Sequence, residues 1–326
     1  MDIIVFIFKN AIFRGTPLLF GAVGETVTEK SGNLNLGIPG IMAMGAISGF
    51  MGAYFYNNAA NFINPFLAVL IPLLSCIIGS VLASLIYAFL TVTLRANQNV
   101  TGLALTTFGV GFANFFGESL GELSGSETAY VALIKFPKYF KNLFPFSSKL
   151  GWFGEMFLSY GFLVYLGIII AIIASFTLKR TKIGLHLRAV GENPATADAA
   201  GINVTLYKYV STCIGGAIAG LGGLYYIMDI SDAIWRKDLM GDIGWLAIAL
   251  VIFTLWKPNF AILASFLFGG LLSIGSALTI DTRFMPLIDM IPYVMTIVLL
   301  ILISIRNKKE NQPPASLGTN YFREDR

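Results

Sequence analysis

Neutral polar side chains are concentrated in two segments of this chain, each flanked by long apolar runs. Residues 24–40 read GETVTEKSGNLNLGIPG, and residues 95–107 read RANQNVTGLALTT. Amide and hydroxyl groups both donate and accept hydrogen bonds, so they suit an uncharged, hydrogen-bonding solute better than an ion. The residues that we expect to line a solute pathway are Asn33, Asn35, Asn97, Asn99, Thr101, Thr106 and Thr107.

Both segments are also expected to interrupt membrane helices. Irregular backbone at membrane depth persists only where protein covers it or a water-filled cavity hydrates it, and broken helices of this kind line substrate paths in transporters. The alternative is that both segments are interfacial loops between shortened helices. Glu25 and Glu29, next to Lys30, are expected to form a locally neutralised cluster that structures the loop without contacting solute.

Residues 179–203, KRTKIGLHLRAVGENPATADAAGIN, carry the signals of a short helix. Asn193 is an N-cap, Pro194 occupies the first helical position, and Gly201 supplies a left-handed residue at the end. A helix of about two turns is too short to cross a bilayer and is marginal in isolation. We therefore expect it to dock against a cytoplasmic partner, although a helix lying passively on lipid head groups is the alternative.

The composition places these segments in a membrane protein. Of 326 residues, 56% are hydrophobic and 12% are charged, about half the charged share of a soluble domain. One His and two Cys exclude a Cys/His metal cluster and a disulfide scaffold, so we expect no metal site. The net charge of +4 is small and concentrated in particular loops, which argues against a nucleic-acid partner.

The apolar runs predict an all-α integral membrane protein with about nine transmembrane helices, since each crossing needs about 20 apolar residues. The candidate spans are residues 3–24, 36–56, 67–94, 102–116, 160–178, 206–228, 245–256, 260–280 and 286–305. The N-terminal run lacks a basic lead and a small-residue cleavage site, so we expect it to be retained. In span 206–228, glycines and alanines four residues apart predict close helix packing.

Lysine and arginine positions predict the orientation. Residues 179–188 and 306–309 are basic and are expected in the cytoplasm, whereas the acidic residues of the opposite loops are expected outside: Asp229, Asp232, Asp238, Asp242 and Asp281. The transmembrane permease domain is then residues 1–306, with an extracytoplasmic loop at 118–157 and a coupling loop at 179–203. With nine spans the N-terminus lies outside, which Lys9 and Arg14 weakly oppose. Residues 307–326 are expected to form a polar, disordered cytoplasmic tail.

Two motifs resemble known transport proteins. GETVTEKSGNLNLGIPGIMAMGA is similar to the segment near the start of permease subunits of bacterial ATP-driven nucleoside importers. GLHLRAVGENPATADAAGIN resembles the cytoplasmic loop of the wider group of ribose-type and branched-chain amino acid permeases. The resemblance covers residues 16–305. It departs at Pro39, where relatives commonly have Glu, so a carboxylate role at that position is in doubt here.

The resemblance implies a permease subunit in the bacterial cytoplasmic membrane. It also implies a cytoplasmic ATPase subunit, a second and different permease chain, and an extracellular substrate-binding lipoprotein. ATP would bind the ATPase, so this chain would hold no cofactor, in keeping with its lack of a G-x-x-x-x-G-K-[ST] motif. The residues implied for ATPase docking or loop geometry are Gly184, Arg188, Gly191, Glu192, Asn193, Pro194 and Gly201.

Other functional classes fit the residues less well. An intramembrane enzyme needs a nucleophile with a base, or metal ligands, and His186 is the lone histidine. A channel or secondary transporter has no use for a docking loop. Within the importer class we expect a nucleoside as solute, with a monosaccharide as the alternative and a branched-chain amino acid third.

Overall fold

The long apolar runs form helices, because in a membrane every backbone polar group must be paired within the protein. The computed structural model describes residues 2–123, 131–141, 144, 147–240, 242–277, 283, 285–305 and 312–322. The helices are α1 Asp2–Glu29, α2 Ile38–Ala59, α3 Pro65–Ala88, α4 Gln98–Leu123, α5 Pro137–Phe140, α6 Gly151–Phe157, α7 Phe162–Arg180, α8 Lys182–Glu192, α9 Pro194–Ala199, α10 Val204–Tyr225, α11 Ile243–Phe253, α12 Pro258–Ala277, α13 Met285–Asp289 and α14 Ile291–Ile305.

Five helices in the described part of the chain are long and apolar enough to cross a membrane: α2, α3, α4, α7 and α10. Two of them continue as π-helices, α3 through Phe89–Thr93 and α10 through Tyr226–Ile230. Helices α11, α12 and α14 contain shorter apolar stretches, and α1 has 28 residues. The chain is therefore an α-helical membrane protein. Each candidate span overlaps one of these helices within the described residues, but nine crossings stay a prediction.

Helices α1, α2 and α10 pack together at the centre, with α3 and α4 on one side and α7, α11 and α12 on the other. Glycines allow the axes of these helices to come close together. A Cβ at Gly24 of α1 would lie 2.3 Å from the carbonyl oxygen of Gly215 in α10, and a Cβ at Gly45 of α2 would lie 2.7 Å from the Cα of Gly220. The small face of α10 therefore packs closely against two neighbouring helices, as its glycine spacing predicts.

The molecule has two ends, which we name by their landmarks. The loop end carries α8 and α9, between the last residue of α7 and the first of α10. The sheet end carries two short antiparallel strands, β1 Val131–Ala132 and β2 Ile234–Trp235, in which Val131 pairs with Trp235. Strand β2 belongs to a connection without helix, residues 231–242, between α10 and α11. Three of its residues have positive φ angles: Asp232, Ala233 and Asp238.

The interruptions differ in position from those expected. Helix α1 continues to Glu29, so the connection to α2 begins at residue 30 and ends at residue 37. The second interruption is confined to residues 94–97, because α4 begins at Gln98 and includes the rest of the polar segment. The 231–242 connection lies where the sequence predicts a loop between spans 206–228 and 245–256, but its strand pairing and its hydrogen bonds to α4 were not anticipated.

The expected disorder of the tail is wrong for residues 312–322. This segment packs at the loop end, where Ser316 is 7% exposed. Its polar groups, which suggested disorder, instead form hydrogen bonds with distant parts of the chain. Several expected features lie outside the described residues: Asp281, the basic residues 306–309, the tail residues 310–311 and 323–326, and residues 124–130, 142–143 and 145–146 of the loop 118–157.

Candidate functional site

The connection between α1 and α2, residues 30–37, is held by two buried carboxylates of α1. Glu25 is 0% and Glu29 3% exposed. Glu25 Oε1 accepts a hydrogen bond from the backbone N–H of Asn35 at 2.9 Å, and Glu29 Oε2 accepts one from Nε1 of Trp256. Within the described residues, no ion pair under 4.0 Å joins Lys30 to either glutamate. Hydrogen bonds thus hold this connection, in place of the expected neutralised cluster.

Asn33 and Asn35 lie inside this connection. Asn33 Nδ2 donates to Oγ1 of Thr212 at 3.1 Å, and Asn35 Oδ1 accepts from the N–H of Gly37 at 2.9 Å. Three neighbouring buried atoms have no hydrogen-bond partner: Glu25 Oε2, Asn33 Oδ1 and Asn35 Nδ2. Burial of a polar atom without a hydrogen-bond partner lowers the stability of the fold. Folding alone therefore does not explain why these residue types occur here.

The predicted pathway residues of α4 divide into two groups. Thr106 is nearly buried, and its Oγ1 donates to the carbonyl of Leu36 at 2.8 Å, which joins α4 to the 30–37 connection; Thr101 is also buried. Asn97, Asn99 and Thr107 are exposed on the outside of this chain. Asn97 Oδ1 accepts from the N–H of Val100 at 3.1 Å and so begins the helix. The structure therefore places Asn33, Asn35, Thr101 and Thr106 in the interior and leaves the other three, Asn97, Asn99 and Thr107, on the outside.

The short helix of the loop end forms as its sequence predicts. Asn193 Oδ1 accepts from the N–H of Thr196 at 3.0 Å, and Gly201 has a φ angle of +82°. The buried Ala197 packs with Val190 of α8 and Val204 of α10. The preceding helix α8 was not anticipated. Its start is nevertheless marked by Thr181, whose hydroxyl accepts a hydrogen bond from the N–H of Gly184 at 3.1 Å.

Two glycines of this loop are sites of close backbone approach. A Cβ at Gly184 would lie 2.1 Å from the carbonyl oxygen of Thr177, and one at Gly191 would lie 2.3 Å from that of Lys30. The end of α8 therefore rests directly on the 30–37 connection. Lys30 is half-buried at this contact. Arg188, by contrast, is exposed.

The segment 312–322, which we call the tail strap, fastens α8 to the same connection. The hydroxyl and the N–H of Ser316 both donate to the carbonyl of Gly191, at 2.6 and 3.0 Å. The N–H of Gly318 donates to the carbonyl of Gly32 at 3.3 Å. The N–H of Ala315 donates to Glu192 Oε2 at 3.4 Å.

The tail strap then reaches α4 and α9. Gln98 Nε2 donates to the carbonyl of Thr319 at 3.3 Å, and its Oε1 accepts from the N–H of Leu34 at 2.7 Å. The Tyr321 hydroxyl donates to Asp198 Oδ2 of α9 at 2.8 Å. One continuous network therefore joins the docking loop, the 30–37 connection and the start of α4.

A second polar region lies toward the sheet end, where the 231–242 connection faces α2 and α4 across a cavity of about 230 Å³. Asn114 of α4 and Asp238 are joined twice: Asn114 Nδ2 donates to Asp238 Oδ1 at 2.7 Å, and the N–H of Asp238 donates to Asn114 Oδ1 at 3.0 Å. The cavity is lined by Pro39, Ala43, Val110, Ala113, Asn114, Trp235, Asp238, Leu239, Met240 and Asp242.

None of the seven predicted pathway residues lines this cavity. The residues that do were missed, because Asn114 lies inside an apolar run and Trp235 to Asp242 were assigned only to an external loop. The sequence feature that could have indicated this site is Trp235, which is followed closely by Asp238 and Asp242. The described residues contain no group of three or more His, Cys, Asp or Glu side chains able to hold a metal ion.

Comparisons with known proteins place these features in context. Residues 7–303 match the family described as the permease component of the branched-chain amino acid transport system. The nucleoside ABC transporter permease protein NupC of Lactococcus lactis is 32% identical over 97% of this chain and 96% of its own length. The guanosine ABC transporter permease protein NupQ of Bacillus subtilis is 30% identical over 92% of each chain. A putative glucose ABC transporter permease protein, TsgC13 of Haloferax volcanii, is 32% identical over 78% of this chain and 72% of its own.

Proposed function

Because this chain belongs to the family of permease components of the branched-chain amino acid transport system, we propose that it is the nucleoside-translocating permease of an ATP-driven importer. As an ABC permease subunit it is a membrane transport component and not an enzyme, and its family implies an ATPase subunit and a second permease chain. The observation that carries the nucleoside assignment is similarity over almost the whole chain to two permeases, one named for nucleosides and one for guanosine.

The loop end supports an ATPase-docking role for α8 and α9. A six-residue helix persists only where its neighbours hold it, and α9 is held by its Asn193 cap, by the buried Ala197 and by the tail strap. A rigid helix of this kind transmits a push from a partner to the parts it contacts. Helix α9 contacts α8, α10 and the tail strap. Through α8 and the strap it is connected to the 30–37 connection and the start of α4, which contain most of the predicted pathway residues.

The complete assembly that we propose has nine transmembrane spans in this chain, with the interruptions at 30–37 and 94–97 inside the membrane and the 231–242 connection on the extracytoplasmic side. The second permease chain is a different protein, and an extracellular lipoprotein delivers the solute. Asn97, Asn99 and Thr107 are exposed in the single chain. They face the second permease or the solute path between the two chains, so their exposure supports a pathway role.

A monosaccharide is the second candidate solute, because one relative is named a putative glucose permease. Both solutes are uncharged and rich in hydroxyl groups, so the neutral polar side chains around residues 30–37 fit either one. The two candidates differ in the aromatic base, which only the nucleoside carries.

Uptake of labelled adenosine, guanosine, uridine and ribose, by cells with and without this chain, tests the proposal. We expect deletion to abolish uptake of at least one nucleoside and to leave ribose uptake unchanged. Restoring the chain on a plasmid is the control and should restore uptake. Loss of ribose uptake alone would assign a sugar instead, and unchanged uptake of all four solutes would contradict both assignments.

A further inference from the structure

We propose that the cavity between α2, α4 and the 231–242 connection holds the nucleoside during translocation and recognises its ribose hydroxyls through Asp238 and Asp242. This inference rests on the proposed function, since it places the same solute at a specific site. The cavity has a volume of about 230 Å³, with mostly apolar walls and a few polar groups on one side. That combination is typical of small-molecule sites.

The polar groups match the hydroxyl side of a ribonucleoside. Asp238 Oδ1 accepts from Asn114, and Asp242 Oδ2 accepts from the Tyr293 hydroxyl at 3.1 Å. Among the described residues, no hydrogen bond reaches the second oxygen of either carboxylate, so each can accept one from a ribose hydroxyl. A carboxylate that accepts from ribose hydroxyls is a recurring solution in proteins that bind nucleosides and dinucleotides. Two carboxylates also disfavour anionic solutes such as nucleotides.

The apolar wall matches the base. Trp235 is 2% exposed, lines the cavity, and its buried Nε1 has no hydrogen-bond partner. That N–H is covered by Gly117 of α4 and not by the cavity, so Trp235 contributes its ring, against which a nucleobase can stack. Gly117 maintains this position, because a Cβ there would lie 1.8 Å from Trp235 Nε1.

The cavity is preorganised by strained backbone. Asp238 adopts a φ of +52°, a left-handed conformation that costs a non-glycine residue free energy. The double hydrogen bond with Asn114 holds it there. A recognition group that is fixed before binding loses less entropy on contact with its ligand. Asn33 and Asn35 of the 30–37 connection, by comparison, are fully buried.

Competition by nucleoside analogues tests the site in the complete transporter. Uptake of the labelled ribonucleoside that the wild type carries is measured against the unlabelled ribonucleoside, its 2′-deoxy analogue and the free base. We expect Asp238→Asn to weaken competition by the ribonucleoside about tenfold and by the 2′-deoxy analogue much less, because a charge-assisted hydrogen bond to a hydroxyl is lost. Asp242→Asn provides an independent second variant.

Asp232→Asn is the matched control, since Asp232 is in the same connection but pairs with Lys141 outside the cavity. It should leave all three competition curves unchanged. Membrane content of each variant, measured by immunoblot, separates loss of recognition from loss of protein. The site would be overturned if both aspartate variants competed like the wild type, or if competition by the ribonucleoside and by its 2′-deoxy analogue weakened equally. In either case, nucleoside uptake by the wild type would still support the proposed function. Absence of nucleoside uptake in the wild type would overturn both.

Discussion

At the scale of single residues, the buried carboxylates of α1 show how polar groups are tolerated among apolar helices. Glu25 and Glu29 each accept a hydrogen bond from an N–H group that a distant part of the chain presents, Asn35 and Trp256 respectively. A buried carboxylate without such donors is strongly destabilising. These residues therefore connect the end of α1 to two other segments by polar contacts that leave little freedom of position.

The Trp256–Glu29 hydrogen bond predicts a specific loss of stability. Trp256→Phe keeps an aromatic ring but removes the donor, so we expect the free energy of unfolding to fall by roughly 1–3 kcal/mol. The measurement is the thermal unfolding midpoint of the purified complex in detergent. Trp245→Phe, at a residue 38% exposed, is the control and should shift the midpoint little. Equal shifts for the two variants would show that this hydrogen bond does not contribute measurably to the free energy of unfolding.

At the scale of elements, α9 is the clearest case of local sequence dictating structure. Its cap, its proline and its terminal glycine act over a few residues, so they were recognisable without knowledge of the fold. Its contacts with α10 and the tail strap depend on distant residues, so they were not recognisable from the local sequence.

Gly201 provides a test of this element. Gly201→Val places a β-branched residue at φ +82°, and left-handed backbone costs a non-glycine residue roughly 1–2 kcal/mol. We expect solute-stimulated ATP hydrolysis by the assembled transporter to fall several-fold while the amount of inserted protein stays the same. Gly201→Asn is the matched control, since asparagine tolerates this conformation and should retain most of the activity. Unchanged hydrolysis in the valine variant would remove α9 from the coupling mechanism.

The helices themselves were largely predictable, and their interruptions only partly. Apolar runs of sufficient length determine helices wherever the backbone has no water to bind. The interruption at 30–37 was expected because Gly and amide residues mark it in the sequence. The 231–242 connection was expected only as an external loop, because its structure depends on long-range contacts, namely the strand pair with Val131 and the Asn114–Asp238 hydrogen bonds.

At the scale of the whole molecule, the tail strap joins parts of the chain that are far apart in sequence. It contacts the 30–37 connection, Gln98 at the start of α4, and both helices of the docking loop. Composition alone predicted disorder here, because a polar segment with two prolines cannot bury a core of its own. It is ordered because other segments present unpaired carbonyls and amides to it.

Removal of residues 313–326 tests what the strap holds in place. We expect faster backbone hydrogen exchange in residues 182–201, because the carbonyl of Gly191 and the carboxylates of Glu192 and Asp198 lose their donors from the tail. Hydrogen–deuterium exchange with mass spectrometry of the purified complex measures this. Removal of residues 323–326 alone is the control, with unchanged exchange expected. Equal protection in the full and shortened chains would mean that the strap lies on the loop without stabilising it.

The strap is fastened largely through its backbone. The N–H groups of Ala315, Ser316 and Gly318 donate hydrogen bonds, and the carbonyl of Thr319 accepts one. Every residue type carries the carbonyl and all but proline carry the N–H, so these contacts tolerate exchange of the strap's side chains. Insertion or deletion of a single residue would instead move each of these groups out of register with its partner.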